Sequence, residues 1–172
     1  KLLFPLDAFY ERAGLIVPRV SEIPGEEVPE PYHGLLVHNR DMTPTLEAYF
    51  GDRIHLKVVG RRLDGDSLSR LVVLTLNQSL RHVEFGAITI HLDQFPTDAR
   101  EAIMECRRPL GSILADFDIV HASRPHAFLR LASDPLIKGA LDLTGTAPLY
   151  GRRNSLLTPA GSVLADVLEI LP

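Results

Sequence analysis

Apolar and polar positions alternate at period two over Ile54-His55-Leu56-Lys57-Val58-Val59, as in a strand with one buried face. The same period returns between Phe85 and Leu92, where Ala87, Thr89 and His91 share a face. Leu71 to Leu76 is almost continuously apolar and rich in branched residues, the pattern of a strand covered on both sides. Turn chemistry at Leu63-Asp64-Gly65-Asp66 and a hairpin connection at Gln78 to His82 punctuate these segments. Three more strands are predicted over Ile119 to Leu131, Leu149 to Leu157 and Val163 to Leu171. Thr158-Pro159-Ala160-Gly161 forms the turn between the last two.

Helical signals fall between the strands. Thr43 is an N-cap residue, Pro44 suits a first helical position and Gly51 lies just past the end, which predicts a helix over Thr43 to Tyr49. Pro96-Thr97-Asp98 opens a second helix through Ala99, Ile103 and Cys106, and Pro109 opens a short third from Leu110 to Phe117. Residues 1–34 are aperiodic and broken by Pro5, Pro18, Pro24, Pro29 and Pro31, which predicts an extended arm with one helical turn near Leu6–Arg12, packed on a domain over 35–172. Six strands with hairpin links and interspersed helices give an α+β fold with a six-stranded antiparallel sheet.

Composition narrows the function classes. The chain has 172 residues, 45% hydrophobic and 23% charged, the make-up of one globular domain. A net charge of −4 offers no basic stripe, so no nucleic-acid partner is expected. Apolar runs such as Leu71-Val72-Val73-Leu74 are too short to span a bilayer, and Pro5 and Asp7 interrupt the apolar start before a signal-peptide core forms. No membrane partner is expected, and the cytoplasm is the expected location. One cysteine, Cys106, excludes an internal disulfide and a cysteine-built zinc site.

The seven histidines, at 33, 38, 55, 82, 91, 121 and 126, show no metal-binding spacing, so no metal is expected. No phosphate-cradling glycine loop or nucleophile elbow is present. Arg61-Arg62, Arg107-Arg108 and Arg152-Arg153 form three pairs. Strand neighbours face opposite ways, so one member of Arg152-Arg153 is placed either in a pocket, where its fork would hold a carboxylate, or in solvent at a strand end.

Read together, four segments resemble the chorismate pyruvate-lyase family. These are Tyr150-Gly151-Arg152-Arg153-Asn154-Ser155, the terminal strand ending Leu168-Glu169-Ile170-Leu171-Pro172, Arg108-Pro109-Leu110-Gly111, and Asp41-Met42-Thr43 with Glu47 following. Their order and spacing hold from about residue 35 to 172. The resemblance implies a sheet whose helices cover a buried ligand pocket, and elimination of pyruvate from chorismate to leave 4-hydroxybenzoate without metal or cofactor. It implies a small aromatic carboxylate as partner, backbone contacts to its carboxylate from Met42 and Leu110, and a contact from Glu169 to the product hydroxyl.

Two arginines that clamp carboxylates in that family align with Val72 and Ala87, which carry no charge. A clamp rebuilt from His91, four residues beyond Ala87, and from Arg152 or Arg153 would preserve lyase chemistry, with Glu169 and His91 as the catalytic pair. The alternatives are an enzyme acting on a less anionic substrate and a non-catalytic aromatic-binding domain. The same fold also serves as the effector-binding half of some transcription regulators.

Overall fold

A computed structural model describes residues 1–172. Six helices and seven strands follow one another as α1 (Leu6–Ala13), β1 (Val20–Ile23), α2 (Tyr32–Leu36), α3 (Met42–Phe50), β2 (Ile54–Asp64), β3 (Ser67–Leu76), β4 (His82–His91), α4 (Thr97–Met104), α5 (Leu110–Asp116), β5 (Ala122–Leu131), α6 (Pro135–Leu141), β6 (Leu149–Leu157) and β7 (Val163–Leu171). The fold is α+β, with one antiparallel sheet of order β1-β5-β6-β7-β4-β3-β2. No helix is long and apolar enough to cross a membrane.

The sheet has seven strands rather than the six expected. The additional one is β1, which lies within the proline-rich first 34 residues and pairs Val20–Ile23 with Leu131–Phe128 of β5. The first 34 residues also supply α1, whose Leu6 and Tyr10 are buried in a core cluster. A second difference is α6, which lies between two predicted strands where no element was predicted. Asp134 caps it by accepting from the Ile137 N–H at 2.9 Å, and Pro135 fills its first turn. The predicted helix over Thr43 to Tyr49 is α3, which begins at Met42 with Asp41 at the N-cap.

Two three-stranded meanders, β2-β3-β4 and β5-β6-β7, meet where β4 pairs with β7, and with β1 on the outer side of β5 all five strands β3 to β7 are interior. One face carries Leu71, Val73, Phe85, Ala87, Leu168 and Ile170 against α1 and α6. The other face carries two separate clusters. Ile88, Ile90 and Leu156 pack under α4 and α5, while Leu74, Leu76 and Leu171 pack under α2 and α3. The site lies on this second face, in the gap between the two helix pairs.

Candidate functional site

Alternation along the strands selects the side chains that face the gap. Counting across the register from Arg70 on β3 gives Val72 and Leu74, then Glu84, Gly86 and Ile88 on β4, Val167 and Glu169 on β7, and Asn154 and Leu156 on β6. These residues line a cavity of about 70 Å³, several times what one water requires. Its roof is the start of α3, at Asp41, Met42 and Thr43, and the start of α5, at Pro109, Leu110 and Gly111. Neither helix start is capped by a side chain, so the first-turn N–H groups beside the cavity have no side-chain acceptor. Gly86 shapes the floor: a Cβ there would sit 3.1 Å from both Val72 Cγ2 and Glu84 Oε1.

Three buried polar side chains reach this cavity with bonding capacity unused. Arg70 is 1% exposed, yet neither its Nε nor its Nη1 has a hydrogen-bond partner. Burial holds its guanidinium below the usual arginine range, against an opposing contact with Cys106. Glu84 is 4% exposed and its Oε2 has no partner. Burial, reinforced by neighbouring Glu169 and only partly offset by Arg152, pushes its carboxyl well above the ordinary value. Asn154 donates from Nδ2 to Ser123 Oγ at 2.8 Å, while its Oδ1 is buried and unpaired.

A fully satisfied ion pair stands beside them. Arg152, with no exposed surface, donates from Nε to Glu169 Oε2 at 2.6 Å and from Nη2 to Oε1 at 3.2 Å. Its Nη1 also donates to the His38 carbonyl at 2.9 Å, and both terminal nitrogens donate to the Arg40 carbonyl at 3.3 Å. The loop leading into α3 is thereby tied to β6. His38 completes the tie: its Nε2 lies 2.7 Å from the Leu35 carbonyl, and its Nδ1 accepts from the Arg40 N–H at 3.1 Å. That pattern fits the neutral ring, and burial together with Arg152 lowers its pKa. Across the roof, the His121 ring nitrogen Nε2 meets Asp41 Oδ2 at 2.6 Å, joining the segment after α5 to the start of α3.

The structure brings together Met42, Leu110, Val72 and Glu169 around the cavity, with Arg152 directly behind Glu169. Ala87 borders it, but its side chain belongs to the core cluster on the opposite face. Arg153 and His91 stand apart from the cavity. Arg153 donates to the Lys1 carbonyl at 3.2 Å and lies over the Phe4 ring, and His91 lies 3.6 Å from Asp166. A clamp formed by His91 and Arg153 is therefore absent, and the cation that does face the cavity is Arg70, two residues before Val72 on the same face. The apolar pattern predicts strands that start only at Leu71 and Phe85, which leaves Arg70 and Glu84 just outside them. A charge inside an apolar, doubly covered strand was the available signal.

No protein-family model and no curated protein matches the chain. Solved structures do resemble it. The effector domain of PhnF from Mycobacterium smegmatis superposes with a TM-score of 0.56 at 11% identity, over 76% of this chain and 87% of that one. A structure of PhnF from the same organism gives 0.55 at 10% identity, over 99% and 94% of the two chains. A Staphylococcus aureus gene product gives 0.54 at 10% identity, over 70% and 83%. At such identities the likeness is one of fold, and that fold is the chorismate lyase-like α+β arrangement.

Proposed function

We propose that this domain is a non-catalytic receptor for a small anionic molecule, held in the cavity between α3 and α5. The observation that carries this reading is Arg70, a cavity-lining residue whose guanidinium is removed from water with Nε and Nη1 unbonded. A buried cation without a partner costs several kcal/mol, and a bound anion recovers that cost through charge-assisted hydrogen bonds. Met42 and Leu110 contribute helix-start N–H groups, Val72 and Gly86 the floor, and Glu169 the far wall. The effector-domain fold of PhnF supports the same class of role.

Chorismate elimination fits these residues less well. Chorismate carries two carboxylates, whereas the cavity offers one uncommitted arginine, Arg152 being already bound to Glu169. Each buried carboxylate left without its arginine costs about 2–5 kcal/mol. Thermal denaturation with benzoate, 4-hydroxybenzoate and chorismate, beside a chromatographic assay for pyruvate, tests both readings. A monoanionic acid at one hundred times its Kd should stabilise the chain by about 2.7 kcal/mol, with no effect on Arg70→Met. Release of pyruvate and 4-hydroxybenzoate from chorismate would instead make the protein a lyase.

A further inference from the structure

The cavity has chemically unlike ends. Arg70 pairs with Ile88 and Leu74 with Glu84, so Arg70 and Glu84 stand four residues apart along the sheet. That is about 13 Å of strand at about 3.3 Å per residue. Between them the lining is apolar, with Val72, Leu74 and Ile88 below and Met42 and Leu110 above. At one end is a single guanidinium with free donors. At the other are two carboxyls, Glu84 and Glu169, sharing a single guanidinium, Arg152, whose bonds go to Glu169. Glu84 Oε2 is left buried and unbonded.

The second end therefore lacks a cation. Arg152 and Glu169 cancel, and Arg70 is matched by the anion proposed above. If that anion belongs to a molecule whose other end is neutral, Glu84 must stay protonated. A hydroxyl at that end supplies one donor but leaves two acids sharing one arginine. An ammonium group supplies both the donors and the charge, leaving three complementary pairs in the cavity: anion with Arg70, Glu169 with Arg152, and ammonium with Glu84.

We infer that the ligand is a small zwitterion, its anionic group on Arg70 and its ammonium on Glu84, joined by a short apolar spacer. This inference rests on the anion-receptor reading and adds the nature of the ligand's far end. Glu84 shares the cavity with Glu169 on β7, Asp41 on the roof and, at the far end, Arg70 on β3; Arg152 on β6 acts on it from behind Glu169, and His121 is bonded to Asp41. His38 and Arg40 adjoin this end through Arg152, and α5 brings only Pro109, Leu110 and Gly111 to the cavity. In the empty cavity burial and the neighbouring Glu169, partly offset by Arg152, favour the protonated form of Glu84. Binding of the zwitterion expels that proton to solvent.

Isothermal titration of the 172-residue chain separates the outcomes. The probes are γ-aminobutyrate, δ-aminovalerate and ε-aminohexanoate, against the n-alkanoates and ω-hydroxy acids of the same lengths, in two buffers of different ionisation heat. One amino acid should bind about tenfold tighter than its alkanoate and release about one proton, its affinity rising about tenfold per pH unit while Glu84 is protonated. The alkanoate, which needs Glu84 neutral, should weaken as pH rises above the folded-state pKa of that group. Glu84→Gln should abolish the proton release and the preference while keeping alkanoate binding, and Arg70→Met should abolish both. Alkanoates or hydroxy acids binding as tightly as the amino acids, without proton release, would overturn the zwitterion and leave the anion site standing. Binding by none of the probes would overturn both.

Discussion

Arg152 shows how one residue decides between a stable core and a costly one. It is wholly buried, and its hydrogen bonds go to Glu169 and to carbonyls of the loop before α3. A paired buried charge is close to neutral in stability, but removing one partner leaves the other unsolvated. Arg152→Met is therefore expected to cost about 3–5 kcal/mol in urea denaturation. Arg152→Met combined with Glu169→Leu should regain most of that loss, because no lone charge remains. A double variant as unstable as the single would mean that the carbonyl contacts of the loop, rather than the charge, dominate. Glycine matters at one neighbouring position for a different reason: a Cβ at Gly151 would lie 2.6 Å from the Glu169 carbonyl oxygen, so only glycine lets β6 approach β7 there.

At the scale of elements, what could be read was set by how far local pattern alone determines structure. Strands β6 and β7 are bounded by turn residues, and both span the predicted segments Leu149–Leu157 and Val163–Leu171. Strand β1 could not be read: Val20–Ile23 has four residues, none of them buried, and it is a strand because β5 offers an unpaired edge. Helix α6 carried a readable start in Asp134-Pro135, but its seven residues span only two turns, too few for a period to emerge. Asp134 does more than cap it, because Tyr10 on α1 donates its hydroxyl to Asp134 Oδ2 at 2.6 Å. Asp134→Ala thus loses a cap and a long-range bond together and is expected to cost about 2–3 kcal/mol, against about 1 kcal/mol for Tyr10→Phe. Equal losses would show that the cap contributes nothing measurable.

For the molecule as a whole, the family resemblance pointed to residues that line the cavity, while two of the cavity's charges, Arg70 and Glu84, went unread. Met42, Leu110, Val72 and Glu169 were singled out through the resemblance to the lyase family, and the structure places them around the cavity. Arg70 and Glu84 were not singled out, because a hydrophobic-strand pattern ends, for the reader, at the first charged residue. Only the closing of both sheet faces by helices shows that these charges are inside. An unpaired cation in a doubly covered sheet destabilises the unliganded fold, and such a cost is retained where binding uses it. Arg70→Met, close in length and apolar, should therefore stabilise the empty protein by about 1–3 kcal/mol, or about 2–4 °C in Tm per kcal/mol for a chain of this size. The same substitution should remove all stabilisation by small acids. A structural arginine would behave in the opposite way: its loss would lower Tm without ligand, and the sign of that one shift distinguishes a binding group from a packing group.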